Sequence, residues 1–101
     1  MSEFVKIATL SEIPPGSARA VDAGGTPVAL YNVGGTVYAT HNACPHRGGS
    51  LGEGSVAEAV VTCPWHGFQF EVTTGRCLTN PALSLACIPV KIEGQDILIR
   101  V

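Results

Sequence analysis

Two short segments of the chain each place a cysteine and a histidine close together, with a proline directly after the cysteine. Cys44 and His46 stand two positions apart in CPHRGG, and Cys63 and His66 stand three positions apart in TCPWHGF. Thiolates suit iron-sulfur clusters, zinc and cuprous copper, whereas imidazoles suit zinc, copper, iron and nickel. Four ligands of these two kinds leave two candidates: a single zinc ion, or a two-iron cluster in which two histidines replace two cysteines on one iron.

The residues around the two pairs favour the cluster over zinc. Structural zinc sites commonly pair their cysteines as CxxC, and neither segment has that spacing. Gly48, Gly49 and Gly67 lack a Cβ, so backbone N–H groups there can approach bridging sulfides, which a zinc ion with four ligands does not require. A Cys2His2 zinc site remains an alternative, because the residue types alone fit it. The paired spacing argues against a third possibility, that the four residues are buried in the core and bind no metal.

The whole chain has room for one compact domain over residues 1–101. It has 101 residues, 46% of them hydrophobic, which is enough for one core and too little for two domains. Eight acidic and six basic residues are scattered without runs and give a formal charge of −2, so we expect neither nucleic acid nor a membrane as a partner. The first residues lack the features of a secretion signal, so we expect a cytoplasmic protein. In a reducing compartment, four cysteines are better explained by metal binding or burial than by disulfides.

Short segments rich in Val, Ile, Thr, Tyr and Phe recur between Gly and Pro residues, which is typical of β-strands. The predicted strands are FVKIA (4–8), ARAVD (18–22), PVALYNV (27–33), TVYAT (36–40), AVVT (59–62), FQFEV (68–72), ACIPVKIE (86–93) and QDILIRV (95–101). Gly34 and Gly35 predict a tight hairpin, because two glycines accept positive φ angles, and Gly94 predicts a closing hairpin. A single helical turn capped by Ser11 is the most helix that the pattern supports. The sequence therefore predicts an all-β sandwich or barrel with both Cys-His segments in loops.

The chain resembles Rieske proteins in CPHRGGSLGEG and CPWHGFQF, which are similar to their two cluster-binding loops, and the resemblance extends to the closing PVKIEGQDILIRV. It implies one Rieske 2Fe-2S cluster per chain, with Cys44 and Cys63 on one iron and His46 and His66 on the other. It also implies the all-β Rieske fold, an antiparallel sandwich or barrel in which a cluster-binding subdomain, roughly residues 42–82, is inserted in a basal β domain.

The branch that the chain resembles most is the soluble ferredoxins of bacterial aromatic-ring-hydroxylating dioxygenase systems. That resemblance implies a monomeric one-electron carrier between a flavin-containing, NAD(P)H-dependent reductase and a terminal oxygenase, without a reaction of its own. NPAL (80–83) resembles the proline-containing third loop that covers the cluster in this family. The small Rieske-like subunit of nitrite reductase and a zinc-stabilised binding module are the alternatives. A catalytic oxygenase subunit would need a second iron site with two histidines, and only His41 remains for it.

The residues beside the ligands give expectations for the redox potential and for the remaining cysteines. Two ferric ions, two sulfides and two thiolates sum to zero charge, so this centre accepts an electron more readily than a four-thiolate cluster. Respiratory Rieske proteins place a hydroxyl donor at two positions that match Phe68 and Phe70 here, so we expect a low Rieske potential, about −150 mV. Gly49 and Trp65 stand where those proteins carry a loop disulfide. Two further cysteines, at positions 77 and 87, are expected to be small buried hydrophobic residues without a disulfide.

Overall fold

The computed structural model describes residues 4–42, 50–64, 67–80 and 82–100 of the chain. Its strands are β1 (Val5–Thr9), β2 (Ala18–Ala23), β3 (Thr26–Val33), β4 (Thr36–His41), β5 (Ser55–Ala57), β6 (Val60–Thr62), β7 (Gln69–Glu71), β8 (Cys87–Ile88), β9 (Val90–Glu93) and β10 (Asp96–Ile99). Two short 3-10 turns, Leu10–Glu12 and Leu51–Glu53, are the helical elements of these ranges. The all-β expectation is confirmed. None of the described helical elements is long and apolar enough to span a bilayer.

Within the described ranges, the strands form three antiparallel sheets. One sheet has the order β1-β10-β9, the second has β2-β3-β4-β8, and the third has β5-β6-β7. The third sheet lies within the range predicted for the cluster-binding subdomain, because its strands run from Ser55 to Glu71. The division of the chain into an inserted subdomain and a basal domain stays a prediction.

Strand β3 separates two hydrophobic core clusters. Its even-numbered residues Val28 and Leu30 belong to the first cluster, and its odd-numbered residues Ala29 and Tyr31 belong to the second. All four are fully buried, because successive side chains point to opposite faces of the sheet and both faces are covered. This accounts for the unbroken apolar run VALY, which an amphipathic strand with one solvent face would not have.

The two clusters differ in which sheets they join. The first cluster is completed by Ala8, Ile13, Ala23, Val37, Ala39, Ile88, Ile97 and Ile99. The second cluster is completed by Leu51, Val61, Cys63, Phe70, Val72, Cys77 and Leu85. The second cluster therefore fastens the third sheet, and the segments on either side of it, to the back of β3.

The hairpin predicted at Gly34 and Gly35 is confirmed. These residues have φ angles of 59° and 99° and join β3 to β4, where Val33 pairs with Thr36. Gly24 and Gly25 take nearly the same angles, 62° and 97°, in the turn from β2 to β3. Positive φ at both central positions is the signature of a type I′ turn, whose twist matches that of the flanking strands.

Two local predictions are wrong. ACIPVKIE is not one strand, because Pro89 lacks an N–H group and divides it into β8, which pairs with β4, and β9, which pairs with β10. The predicted helical turn starts earlier than expected: Thr9 precedes it and Ser11 lies inside it. The Thr9 backbone N–H donates to the Glu12 carboxylate over 2.9 Å, so the cap uses Glu12 rather than Ser11.

Candidate metal centre

Of the four predicted ligands, the structure describes Cys63. Cys44, His46 and His66 lie outside the described residues, as do Gly49 and Trp65. The complete ligand set therefore stays a prediction. The described parts of the loops show how Cys63 and the ends of the two ligand segments are held.

Cys63 follows β6 directly and lies at the base of the loop that leads into β7. Its backbone N–H donates to the carbonyl of Phe68 over 2.7 Å, which closes the loop that contains His66 in the sequence. Gly67 has a φ of 71°, a conformation that glycine adopts without strain. The cysteine is only 1% exposed and belongs to the second core cluster. Its sulfur is thus held at a fixed position by a strand, a backbone bond and core packing.

This position suits a thiolate ligand of a soft metal centre. Sulfur donors favour iron-sulfur clusters and zinc, and fixed donors beside an apolar core keep the metal's surroundings poor in water. Cys63 is therefore suited to be a ligand of the 2Fe-2S cluster that the CPWHGFQF segment implies. In the ranges that the structure describes, no three His, Cys, Asp or Glu side chains come together in a group that could hold a metal ion.

A second loop, residues 77–83, is built beside the same hairpin. Its first residue, Cys77, is 2% exposed, and its Sγ accepts a hydrogen bond from the backbone N–H of Asn80 over 3.2 Å. Asn80 in turn accepts bonds from the backbone N–H groups of Ala82, through its side chain, and of Leu83, through its carbonyl. The Leu78 N–H donates to the carbonyl of Gln69, a residue of β7, over 2.8 Å. The predicted third loop is therefore attached to the strand that follows Cys63; Pro81 itself lies outside the described residues.

The expected burial of the remaining cysteines is confirmed at Cys77 and wrong at Cys87. Cys87 is exposed, because β8 is at the edge of its sheet. Partial burial still raises the pKa of the Cys87 thiol, which faces the Val72 carbonyl at 3.9 Å. Both cysteines are free thiols in the structure. The acceptor role of Cys77 was not predicted, because a cysteine in an apolar segment carries no sequence signal for it.

Phe68 and Phe70, on either side of Gln69, are buried to different degrees. Phe70 is fully buried in the second core cluster, and Phe68 is partly buried against it. Neither side chain carries a hydroxyl group that could donate a hydrogen bond to sulfur. This composition is the basis of the low potential expected from the sequence. His41 is exposed and ends β4, as predicted for a strand-end residue.

Comparisons with known proteins agree with the metal site predicted from the sequence. The Rieske 2Fe-2S domain matches residues 3–89 of the chain. The ferredoxin component of a naphthalene 1,2-dioxygenase system from Pseudomonas aeruginosa is 38% identical over 96% of this chain and 94% of its own length. A solved complex of reduced oxygenase and oxidised ferredoxin in carbazole 1,9a-dioxygenase contains a chain that is 34% identical, with a TM-score of 0.87, over 95% of this chain and 91% of that one.

A more distant structure shares the fold without indicating a function. A Mycobacterium tuberculosis protein assigned as the small subunit of an NADH-dependent nitrite reductase is 23% identical, with a TM-score of 0.90, over 100% of this chain and 96% of that one. The predicted Rieske fold is thus confirmed, and with it the expectation of a 2Fe-2S cluster, which takes up and releases single electrons. On the match over residues 3–89 and the relatives above 30% identity, the chain belongs to the Rieske 2Fe-2S family.

Proposed function

We propose that the chain is the ferredoxin of an aromatic-ring-hydroxylating oxygenase system. It accepts single electrons from a flavin-containing, NAD(P)H-dependent reductase and delivers them to a terminal oxygenase. The observation that carries this proposal is the near full-length similarity to ferredoxin components of such systems, one of them in complex with its oxygenase. The protein acts as a cytoplasmic monomer, and substrate chemistry takes place on the oxygenase.

The proposed ligands of the cluster are Cys44, His46, Cys63 and His66. Cys63 supports the proposal because its sulfur is buried and its loop is closed at the base by the Phe68 carbonyl. Phe70 lies in the same core cluster as Cys63, Phe68 packs against that cluster, and neither adds a hydroxyl donor. The chain's own contribution is thus to hold the ligands in place and to keep their surroundings apolar.

Anaerobic purification tests the cluster and separates it from zinc. We expect two irons and two labile sulfides per chain, a red-brown colour, and a rhombic EPR signal on reduction. Zinc in place of iron would contradict the proposal and support the binding module instead.

Two cysteine variants provide a matched comparison for the ligand set. Cys63 and Cys77 are both almost fully buried in the second core cluster, so Cys63→Ser and Cys77→Ser make the same chemical change in similar surroundings. We expect Cys63→Ser to lose the cluster, and Cys77→Ser to keep it because a serine oxygen still accepts the Asn80 N–H. Equal cluster content in the two variants would remove Cys63 from the ligand set.

Reconstitution tests the relay. Oxygenase turnover should depend on the ferredoxin when the chain is mixed with NADH, a ferredoxin reductase and an aromatic-ring-hydroxylating oxygenase. The control is the Cys63→Ser protein, which should not support turnover. A chain that carries the cluster, supports no oxygenase and stimulates the large subunit of a nitrite reductase would favour the alternative function.

A further inference from the structure

Asn42 and Ser50 lie on either side of residues 43–49, the sequence that contains the predicted ligands Cys44 and His46. The Asn42 side chain joins these two sides. Its Oδ1 accepts hydrogen bonds from the Gly52 backbone N–H over 2.7 Å and from the Ser50 hydroxyl over 3.3 Å. Its Nδ2 lies 2.9 Å from Ser50 Oγ and donates to it. One side chain therefore connects the residue before the ligand segment to two residues after it.

The backbone of Asn42 adds two further connections. Its carbonyl accepts from the Leu51 N–H over 2.9 Å, and its N–H donates to the Pro27 carbonyl at the start of β3 over 3.1 Å. Leu51 is fully buried in the second core cluster, so the far side of the segment is anchored as well. Both ends of the ligand segment are thus attached to the buried sheet and to each other.

Gly52 completes the attachment on the side of β2. A Cβ at Gly52 would overlap the backbone of Ala20, a residue of β2. The turn that receives the Asn42 side chain therefore lies directly against the strand, and glycine is required for that approach. Gly52 thus packs closely against Ala20 while its N–H group donates to Asn42.

We propose that Asn42 is a positioning residue for the first ligand segment and controls how firmly the chain holds its cluster. The proposal rests on the proposed ligand set. A segment whose two ends are fixed loses less conformational entropy when its ligands bind than one with free ends. Partners that orient metal ligands from outside the coordination sphere typically change metal affinity by 10- to 100-fold when they are mutated. The effect of Asn42 should therefore appear as faster cluster release.

The test compares Asn42→Ala, Asn42→Asp and Asn32→Ala in the cluster-loaded protein. Asn32 is a suitable control because its side chain likewise joins separate parts of the backbone, donating to the Ile13 carbonyl over 2.7 Å and accepting from the Gly35 N–H over 2.8 Å. It is 4% exposed and lies near the end of β3, beside the turn at Gly34 and Gly35. Its substitution should therefore destabilise the fold without changing a contact of Asn42. The rate of cluster release to an iron chelator is followed by visible absorbance at one temperature, which lies below the melting temperature of every variant.

We expect Asn42→Ala to release the cluster about 10- to 100-fold faster than the unaltered protein. Asn42→Asp retains the acceptor for Gly52 and Ser50 and should stay within about threefold, since the acceptor bonds carry the connection. Asn32→Ala should release at the unaltered rate although its melting temperature falls. Amide hydrogen exchange at Gly52 should speed up in Asn42→Ala and not in Asn32→Ala.

Two outcomes would overturn the role of Asn42. Release rates that follow melting temperature alone, with Asn32→Ala as fast as Asn42→Ala, would reduce Asn42 to an ordinary stabilising residue. Unchanged Gly52 exchange in Asn42→Ala would show that the side chain does not hold this turn. Neither outcome bears on the relay, which is measured by oxygenase turnover; a chain without iron would instead contradict the proposed function itself.

Discussion

Gly75 provides a sharp test of how the third sheet is fastened to the rest of the chain. It follows β7, has a φ of 84°, and donates its N–H to the Glu71 carbonyl over 2.7 Å. Its own carbonyl accepts from the Leu85 N–H over 2.6 Å. A Cβ at this position would overlap the Leu85 carbonyl oxygen, which is backbone and cannot rotate away. Gly75→Ala therefore combines a strained backbone conformation with a steric overlap.

The two costs can be separated with Gly34→Ala. Gly34 also has a positive φ, 59°, but a Cβ there meets nothing within 4 Å. The left-handed conformation costs about 1–2 kcal/mol for a residue with a Cβ, less about 0.4–1 kcal/mol gained by restricting the unfolded chain. Gly34→Ala should thus lose about 1 kcal/mol. Gly75→Ala adds the cost of overpacking, about 1–3 kcal/mol.

The difference is measurable by thermal unfolding of the cluster-loaded proteins, followed by circular dichroism at one protein concentration and one scan rate. About 4–8 °C is lost per kcal/mol in a domain of this size, so Gly75→Ala should melt roughly 5–20 °C below Gly34→Ala. Equal melting temperatures would show that the segment around Leu85 moves aside, and that the turn after β7 does not fix the third sheet.

Three further predictions concern the site and the thiols. Voltammetry should give a potential near the low end of the Rieske range, about −150 mV, because Phe68 and Phe70 supply no hydroxyl donor; a value above zero would contradict this. His46→Cys should lower the potential or lose the cluster, and an unchanged spectrum and potential would remove His46 from the ligand set. Cys87 should react slowly with iodoacetamide at neutral pH, because its raised pKa leaves a smaller thiolate fraction than in an ordinary thiol. Its rate should rise at a higher pH than that of a reference peptide thiol, while Cys77 should react only after unfolding; mass spectrometry of alkylated peptides checks both.

The turns and the core strand could be predicted because their causes are local. Paired glycines accept positive φ at two consecutive residues without strain, so Gly34 and Gly35 indicated their hairpin without knowledge of the fold. The run VALY was likewise recognised as part of a strand, whereas the burial of both its faces is seen only in the structure. The short strand β5 was not predicted, because Ser55–Ala57 has little apolar pattern and is held by pairing with β6.

Long-range contacts account for what the sequence did not reveal. The division of ACIPVKIE has a local cause in Pro89, but the sheet that each half joins is a property of the assembled fold. The hydrogen bond from Asn80 to the Cys77 sulfur, and the bonds from Asn42 across residues 43–49, join positions whose closeness follows from the path of the chain. The sequence could indicate the ligands by residue type, whereas the residues that position them are identified by their contacts.

The contacts at the loop bases also suggest how the cluster enters the chain. The Cys63 N–H bond to the Phe68 carbonyl, 2.7 Å, and the Leu51 N–H bond to the Asn42 carbonyl, 2.9 Å, use protein atoms alone. Leu51 and Cys63 are both buried against β3 in the second core cluster. These bases are therefore stabilised by core packing and backbone bonds between protein atoms. We therefore expect the sheets to fold before the cluster is inserted.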